Sequence, residues 1–205
     1  ATYFTNLYLE QKYGRQHLVE RLKDQRGEVV SYSKENRVPV VNPSITNYMN
    51  LLNANSYQKG GWVLHMLREK VGDEVFWEAI RAYYAAFELS NAYTKDLQDV
   101  FEKVSGMDLT QFFQQWIFQA GQPQIRAEWT YKNDQLEVEI KQDQAEDFLF
   151  DLEILITYAD GSTELFMVPV EQKSLTWKPK VNSKPQSLML DPNTKLLFEG
   201  SIREK

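Results

Sequence analysis

The chain has 205 residues, 42% of them hydrophobic and 13% aromatic, enough for one large domain or two small ones with packed cores. Its net charge is −6, with 10 basic against 15 acidic residues from 122 onward, which argues against nucleic-acid binding, where a basic stripe is expected. It has no cysteine, which excludes disulfides, thiolate metal sites and cysteine nucleophiles, and it contains no apolar run of about 18 residues, so no membrane-spanning helix is predicted.

In chain order, Tyr3, Phe4, Leu7 and Tyr8 recur at helical spacing, and Gly14 is the expected stop. The sequence begins at Ala1 inside this pattern, which fits a piece of a longer protein or a processed mature terminus. Leu18, Val19 and Leu22 predict a second helix, ending near Gly27, with His17 an ordinary histidine at its start. Residues 28–47, with Pro39, Pro43, Asn36 and Asn42, read as a loop lying over the surface or rimming a cleft. A short helix is expected over 45–53.

The next stretch, Ser56 to Leu67, organises the rest. Asn55 or Ser56 is expected to cap a helix there, with Tyr57 at its first turn. Trp62, Val63, Leu64, Met66, Leu67 and Val71 cover a wide arc of the helical wheel, as on a helix packed on more than one side. Gly60 and Gly61 each cost roughly 1 kcal/mol relative to alanine in a helix, so another helix or a ligand is expected to approach the backbone. Lys59 reads as a solvated lysine. His65 and Glu69, at i and i+4, read as a pair on the helix surface, since two ligands are too few for a metal site. Helices capped by Asp73, Thr94 and Asp108 follow, with stops at Gly106 and Gly121.

At Pro123 the period changes. Ile125 to Tyr131 and Leu136 to Ile140 alternate about an Asn133-Asp134 turn, which predicts a hairpin. Phe148 to Tyr158, Leu165 to Val170, Leu175 to Trp177, Leu188 to Leu190 and Leu196 to Phe198 are further expected strands. The sequence therefore predicts an α+β protein of two domains, helices over 1–121 and a small antiparallel β-sandwich over 122–205.

Several motifs, in order, resemble one family. Tyr57-x-Lys59-Gly60, followed by an apolar helix ending in Met66-Leu67-Arg68, resembles the Tyr-x-Lys-Gly signature of the M1 zinc aminopeptidases, which are gluzincins. Gly72-Asp73-x-x-Phe76, Phe112-Phe113-x-x-Trp116 with Gly121-x-Pro123, and Asp191-Pro192-Asn193 resemble later motifs of the same family. Ala1-Thr2-Tyr3-Phe4 resembles the residues just after its third zinc ligand.

The resemblance implies the helical half of a thermolysin-like catalytic domain followed by a β-sandwich. It also implies a departure. The family holds zinc with His-Glu-x-x-His on one helix and a glutamate on the next, and neither His17 nor His65 begins such a motif. No metal ligand and no cofactor-binding residue is therefore assigned to this chain. Zinc is expected in the full-length enzyme, on ligands upstream of Ala1, and the partners implied are that zinc-bearing half and a peptide substrate. The segment from Tyr3 to Glu10 is expected to support the site by packing.

In such an enzyme negative charge builds on the carbonyl oxygen of the scissile peptide, and a donor aimed at it lowers the barrier. An ordinary phenol is protonated at neutral pH and suits that task. The resemblance assigns it to Tyr57. From the residues alone, Tyr57 would read as a core tyrosine at a helix start. The expected function is thus the C-terminal part of an aminopeptidase, inactive alone. The alternative is a non-catalytic scaffold or interaction module of the same fold.

Overall fold

The computed structural model describes residues 1–205. The first helix, α1 (Thr2–Tyr13), ends at Gly14, whose φ of 88° breaks the helical path and lets α2 (Arg15–Glu35) set off in a new direction. Gly27 does not stop α2, contrary to the sequence expectation. Leu18, Leu22, Gln25 and Val29 continue one buried face straight through it, and the packing of that face outweighs one glycine. The helices α1 and α2 are joined by a buried polar contact. Asn6 Nδ2 donates to Gln25 Oε1 at 2.9 Å, and Arg21 Nε donates to Asn6 Oδ1 at 2.9 Å.

The loop is therefore shorter than its composition suggested, and the helix expected over 45–53 is a single 3₁₀ turn, Tyr48–Leu51. A π-helical turn, Asn55–Lys59, runs into α3 (Gly60–Val71). Then come α4 (Asp73–Phe87), α5 (Thr94–Ser105) and α6 (Thr110–Phe113), the last continuing into a second π turn, Gln114–Phe118. At the start of α5 the backbone N–H of Tyr93 donates to Asp96 Oδ2, and Asp108 accepts from Thr110 N–H ahead of α6. Asp73 lies in the first turn of α4 instead of capping it, because Arg68 takes both of its oxygens.

Trp62 anchors α3 on α2, its indole N–H donating to Leu22 O at 3.1 Å under the Arg26 guanidinium. Beside it lies a cluster of charges. Arg68 reaches Asp73 and Glu10, each at 2.6 Å, and Arg15 reaches Glu10 and Glu69. Burial opposes the charge on Arg68, but its bonds to Asp73 and Glu10 outweigh burial and raise its pKa. The same Arg68 bonds hold the Asp73 carboxyl below the usual range. One guanidinium thus ties together α1, α3 and the start of α4.

The chain divides into two units, Ala1–Gly121 and Gln122–Lys205. The second has two sheets. Strands β1 (Gln124–Lys132), β2 (Gln135–Gln142), β5 (Ser174–Trp177) and β7 (Glu199–Glu204) form one, in the order β5-β2-β1-β7. Strands β3 (Phe150–Tyr158), β4 (Thr163–Val170) and β6 (Pro185–Leu190) form the other, in the order β4-β3-β6. The β1–β2 turn, Asn133-Asp134, has φ of 51° and 59°, the geometry a two-residue hairpin requires. Alternation decides the core: Ile125, Ala127, Trp129, Val138, Ile140, Leu152, Ile154 and Ile156 are all buried.

Two details depart from expectation. Leu196, Leu197 and Phe198 are buried but form no strand; the last strand starts at Glu199 and pairs parallel, not antiparallel, with β1. The Asp191 carboxylate, accepting from the Lys195 and Leu196 N–H groups, organises the irregular segment. Asn193 and Lys195 fasten it to the buried Glu153 of β3.

Gly200 is the steric requirement of this end. Its φ is +154°, and a Cβ there would stand 2.0 Å from Ile125 O. Gly200→Ala is expected to separate β7 from β1 locally and to lower stability by at least about 2 kcal/mol. Urea unfolding of the variant measures this, and an unchanged midpoint would contradict the close approach.

Candidate active site

The π turn Asn55–Lys59 carries Tyr57. At its end the N–H groups reach one residue further back than in an α-helix: Lys59 N–H donates to Ala54 O at 2.9 Å and Gly60 N–H to Asn55 O. Such widened turns inside helices occur frequently at functional sites. The cap expected from Asn55 or Ser56 comes instead from Asn53, whose Oδ1 accepts from both Asn55 N–H and Ser56 N–H, at 2.9 and 3.1 Å. Asn55 is buried, and its Nδ2 donates to Val38 O and Pro39 O.

A cavity of about 330 Å³ lies against this turn, bounded by Ala1 and Thr2 at the start of α1, by Tyr57 and Gly60, and by Leu97 and Phe113 from α5 and α6. No residue from 28 to 47 lines it. That loop instead backs both π turns, with Val38 O accepting from Asn55 Nδ2 of the first and Val41 N–H donating to Ile117 O of the second.

Two tyrosines reach the cavity wall and differ in every respect that matters chemically. Tyr3 is 1% exposed, its hydroxyl is 3.1 Å from His65 Nδ1, and burial drives its pKa well above the ordinary phenol range. Tyr57 is 44% exposed, and its hydroxyl has no partner within the chain. One phenol is committed to the core and the other is free to donate to a ligand.

The glycine pair has half of its expected explanation. At Gly61, Thr2 and the backbone N of Tyr3 lie 3.6 to 3.8 Å from where a Cβ would be, so the approaching element is α1. At Gly60 only Asn55 O comes within 4 Å, at 3.9 Å, and the backbone is ordinary right-handed helix.

Two sequence expectations are corrected. His65 is fully buried, so its pairing with Glu69, Nε2 to Oε1 at 3.9 Å, is not a surface pair. Lys59 is not solvated: it is 1% exposed, and its Nζ donates to Gly121 O at 2.7 Å. Its spacing carried the signal. Lys59, Trp62, Val63 and Met66 share one helical face, and that face is buried. Burial, reinforced by the nearby Arg37 charge, lowers the Lys59 pKa from 10.5 to about 8.

The two histidines are far apart in the sequence, and His17 lies beside Tyr13, the rings tilted at 58°, at a half-buried position. No group of three or more His, Cys, Asp or Glu side chains comes together that could hold a metal ion. The residues present do not fit a zinc site within this chain.

Two predictions follow from Lys59 and Gly60. Between pH about 8 and 10.5 the folded chain sheds the Lys59 proton while the unfolded chain keeps it, so stability rises with pH across that window. Relative to Lys59→Met, the native chain should gain up to about 3 kcal/mol from one end of the window to the other, read by urea unfolding at stepped pH. A constant difference would show that the lysine is not buried. Gly60→Ala should add about 0.4–1 kcal/mol of stability, because the added methyl makes only an ordinary contact with Asn55 O and the unfolded chain loses freedom.

The profile of the family described as "Peptidase family M1 domain" matches residues 1–116. Probable aminopeptidase 1 of Sulfurisphaera tokodaii is 31% identical over 148 residues, which are 72% of this chain and 16% of that protein. Aminopeptidase N of Lactococcus lactis subsp. lactis is 36% identical over 72 residues, 35% of this chain and 8% of that protein. The crystal structure of Legionella pneumophila aminopeptidase A in complex with aspartic acid has the same fold, with a TM-score of 0.80 at 17% identity over 97% of this chain and 23% of that one. The chain thus spans less than a fifth of the length of these two curated relatives. A helical unit carrying Tyr57-x-Lys59-Gly60 and matched by that profile over more than half of the sequence has one assignment: the chain belongs to peptidase family M1.

Proposed function

We propose that this chain is part of a zinc-dependent aminopeptidase, cleaving residues from the N-terminus of peptides, and that Tyr57 is its contribution to the chemistry. The observation that carries this reading is the contrast between two phenols on one cavity. Tyr3 is buried and bonded to His65, whereas Tyr57 is exposed on the cavity wall with a free hydroxyl.

The role follows from what a phenol with a free hydroxyl can do. When a peptide carbonyl is attacked, its oxygen gains negative charge, and a fixed donor aimed at that oxygen stabilises the transition state more than the substrate. The π turn holds the backbone of Tyr57 before the substrate arrives, so little reorganisation is needed. Leu97 and Phe113 line the same cavity, and a hydrogen bond made among apolar side chains is stronger than one in open water. The zinc, the residues that hold it and the general base are assigned to the protein outside this chain. The chain alone is accordingly expected to bind no catalytic zinc and to cleave nothing.

The test is Tyr57→Phe in the full-length protein. Loss of one such donor should lower kcat by roughly 100- to 1000-fold, with KM changed by less than about 2-fold. Turnover at the native rate would return Tyr57 to the role of a packing residue. Absence of turnover in the unaltered full-length protein would favour a non-catalytic scaffold.

A further inference from the structure

The turn that carries Tyr57 is pinned on both sides. Two residues before Tyr57, the buried Asn55 side chain grips the carbonyls of Val38 and Pro39. Two residues after it, the buried Lys59 side chain crosses to the carbonyl of Gly121. The acceptor is itself constrained: Gly121 has a φ of +78°, and Arg37 guanidinium atoms lie 3.0 to 3.3 Å from where a Cβ would be. Arg37, Val38 and Pro39 are consecutive, so one anchor bonds this short stretch of the loop directly and the acceptor of the other lies against it.

We propose that Lys59 is a positioning residue for Tyr57, fixing through its bond to the Gly121 carbonyl the direction in which the turn presents the phenol to the cavity. The inference rests on the reading of Tyr57 as the oxyanion donor. Packing alone does not call for a lysine. Lys59 sits among the fully buried side chains of the unit with no carboxylate partner, and a methionine would fill nearly the same space without burying a charge. What the lysine alone supplies is a directed bond over a long reach in sequence, from 59 to 121. A donor displaced by about 1 Å can lose about 100-fold in rate, so a device that fixes its direction acts on kcat.

Lys59→Met removes the bond and keeps the volume. In the full-length protein it should lower kcat by about 10-fold or more while KM stays within about 2-fold. Amide hydrogen exchange in Ser56–Gly61 should quicken by about 10-fold or more, with α4 and α5 unchanged. In a Tyr57→Phe background the same substitution should cost less than about 2-fold further, since its effect acts through the phenol. A native kcat in Lys59→Met, or an equal loss with and without the phenol, would overturn the proposal. Native exchange in Ser56–Gly61 would overturn it without reference to turnover. Exchange thus tests Lys59, whereas turnover of Tyr57→Phe alone tests Tyr57, and the two can fail separately. Lys59→Gln, too short to reach Gly121, repeats each measurement if the methionine variant does not fold, with the same outcomes deciding.

Discussion

The bond from Lys59 Nζ to the Gly121 carbonyl is the constraint around which the helical unit is arranged. It joins the start of α3 to the last residue of the unit, and it does so from a fully buried position. A buried cation is costly unless bonded, so the chain around 121 must stay in place for Lys59 to remain inside. The loop at 37–41 is drawn in by the same logic. Its carbonyls accept from Asn55, and its Val41 N–H meets Ile117 O beside the second π turn. Each of the two signature segments, around Tyr57 and around Trp116, therefore contains a widened helical turn and one end of a cross-link.

The opposite face of α3 is held by charge. Arg68 collects Glu10 and Asp73, and Arg15 collects Glu10 and Glu69. Between these attachments lie Tyr3 and His65, buried and hydrogen-bonded to each other. Tyr3, Asn6 and Glu10 of α1 spend their polar groups inside the unit, while the hydroxyl of Tyr57 is left over. That hydroxyl stands on the cavity wall, beside Ser56 and Thr94.

Much of this could be read from the residues. The change from period 3.6 to period 2 at Pro123 follows from Ile125, Ala127 and Trp129 alternating after a run of capped helices. The hairpin follows from Asn133-Asp134. Other features escaped for physical reasons. Gly27 carries a helix-breaking preference that the buried stripe Leu18, Leu22, Gln25 and Val29 overrides. Lys59 looked solvated because lysine usually is, although its spacing from Trp62 and Val63 put it on the buried face. The parallel pairing of β7 with β1 has no local signature at all, since strand direction is set by the path of the chain through 191–198. The π turns were illegible because their i to i+5 bonds leave no residue pattern distinct from an α-helix.

That parallel pairing has a mechanical side. Gln124 sits opposite Glu199 and Trp129 opposite Glu204, so β1 and β7 run side by side in one direction. Tension drawn between the front of β1 and the back of β7 would slide the strands along each other. Every rung from 124 to 129 would then share the load together, instead of opening one after another as in a hairpin pulled from its free ends. Gly200, where a Cβ would stand 2.0 Å from Ile125 O, keeps the two strands in contact along that shared line of load.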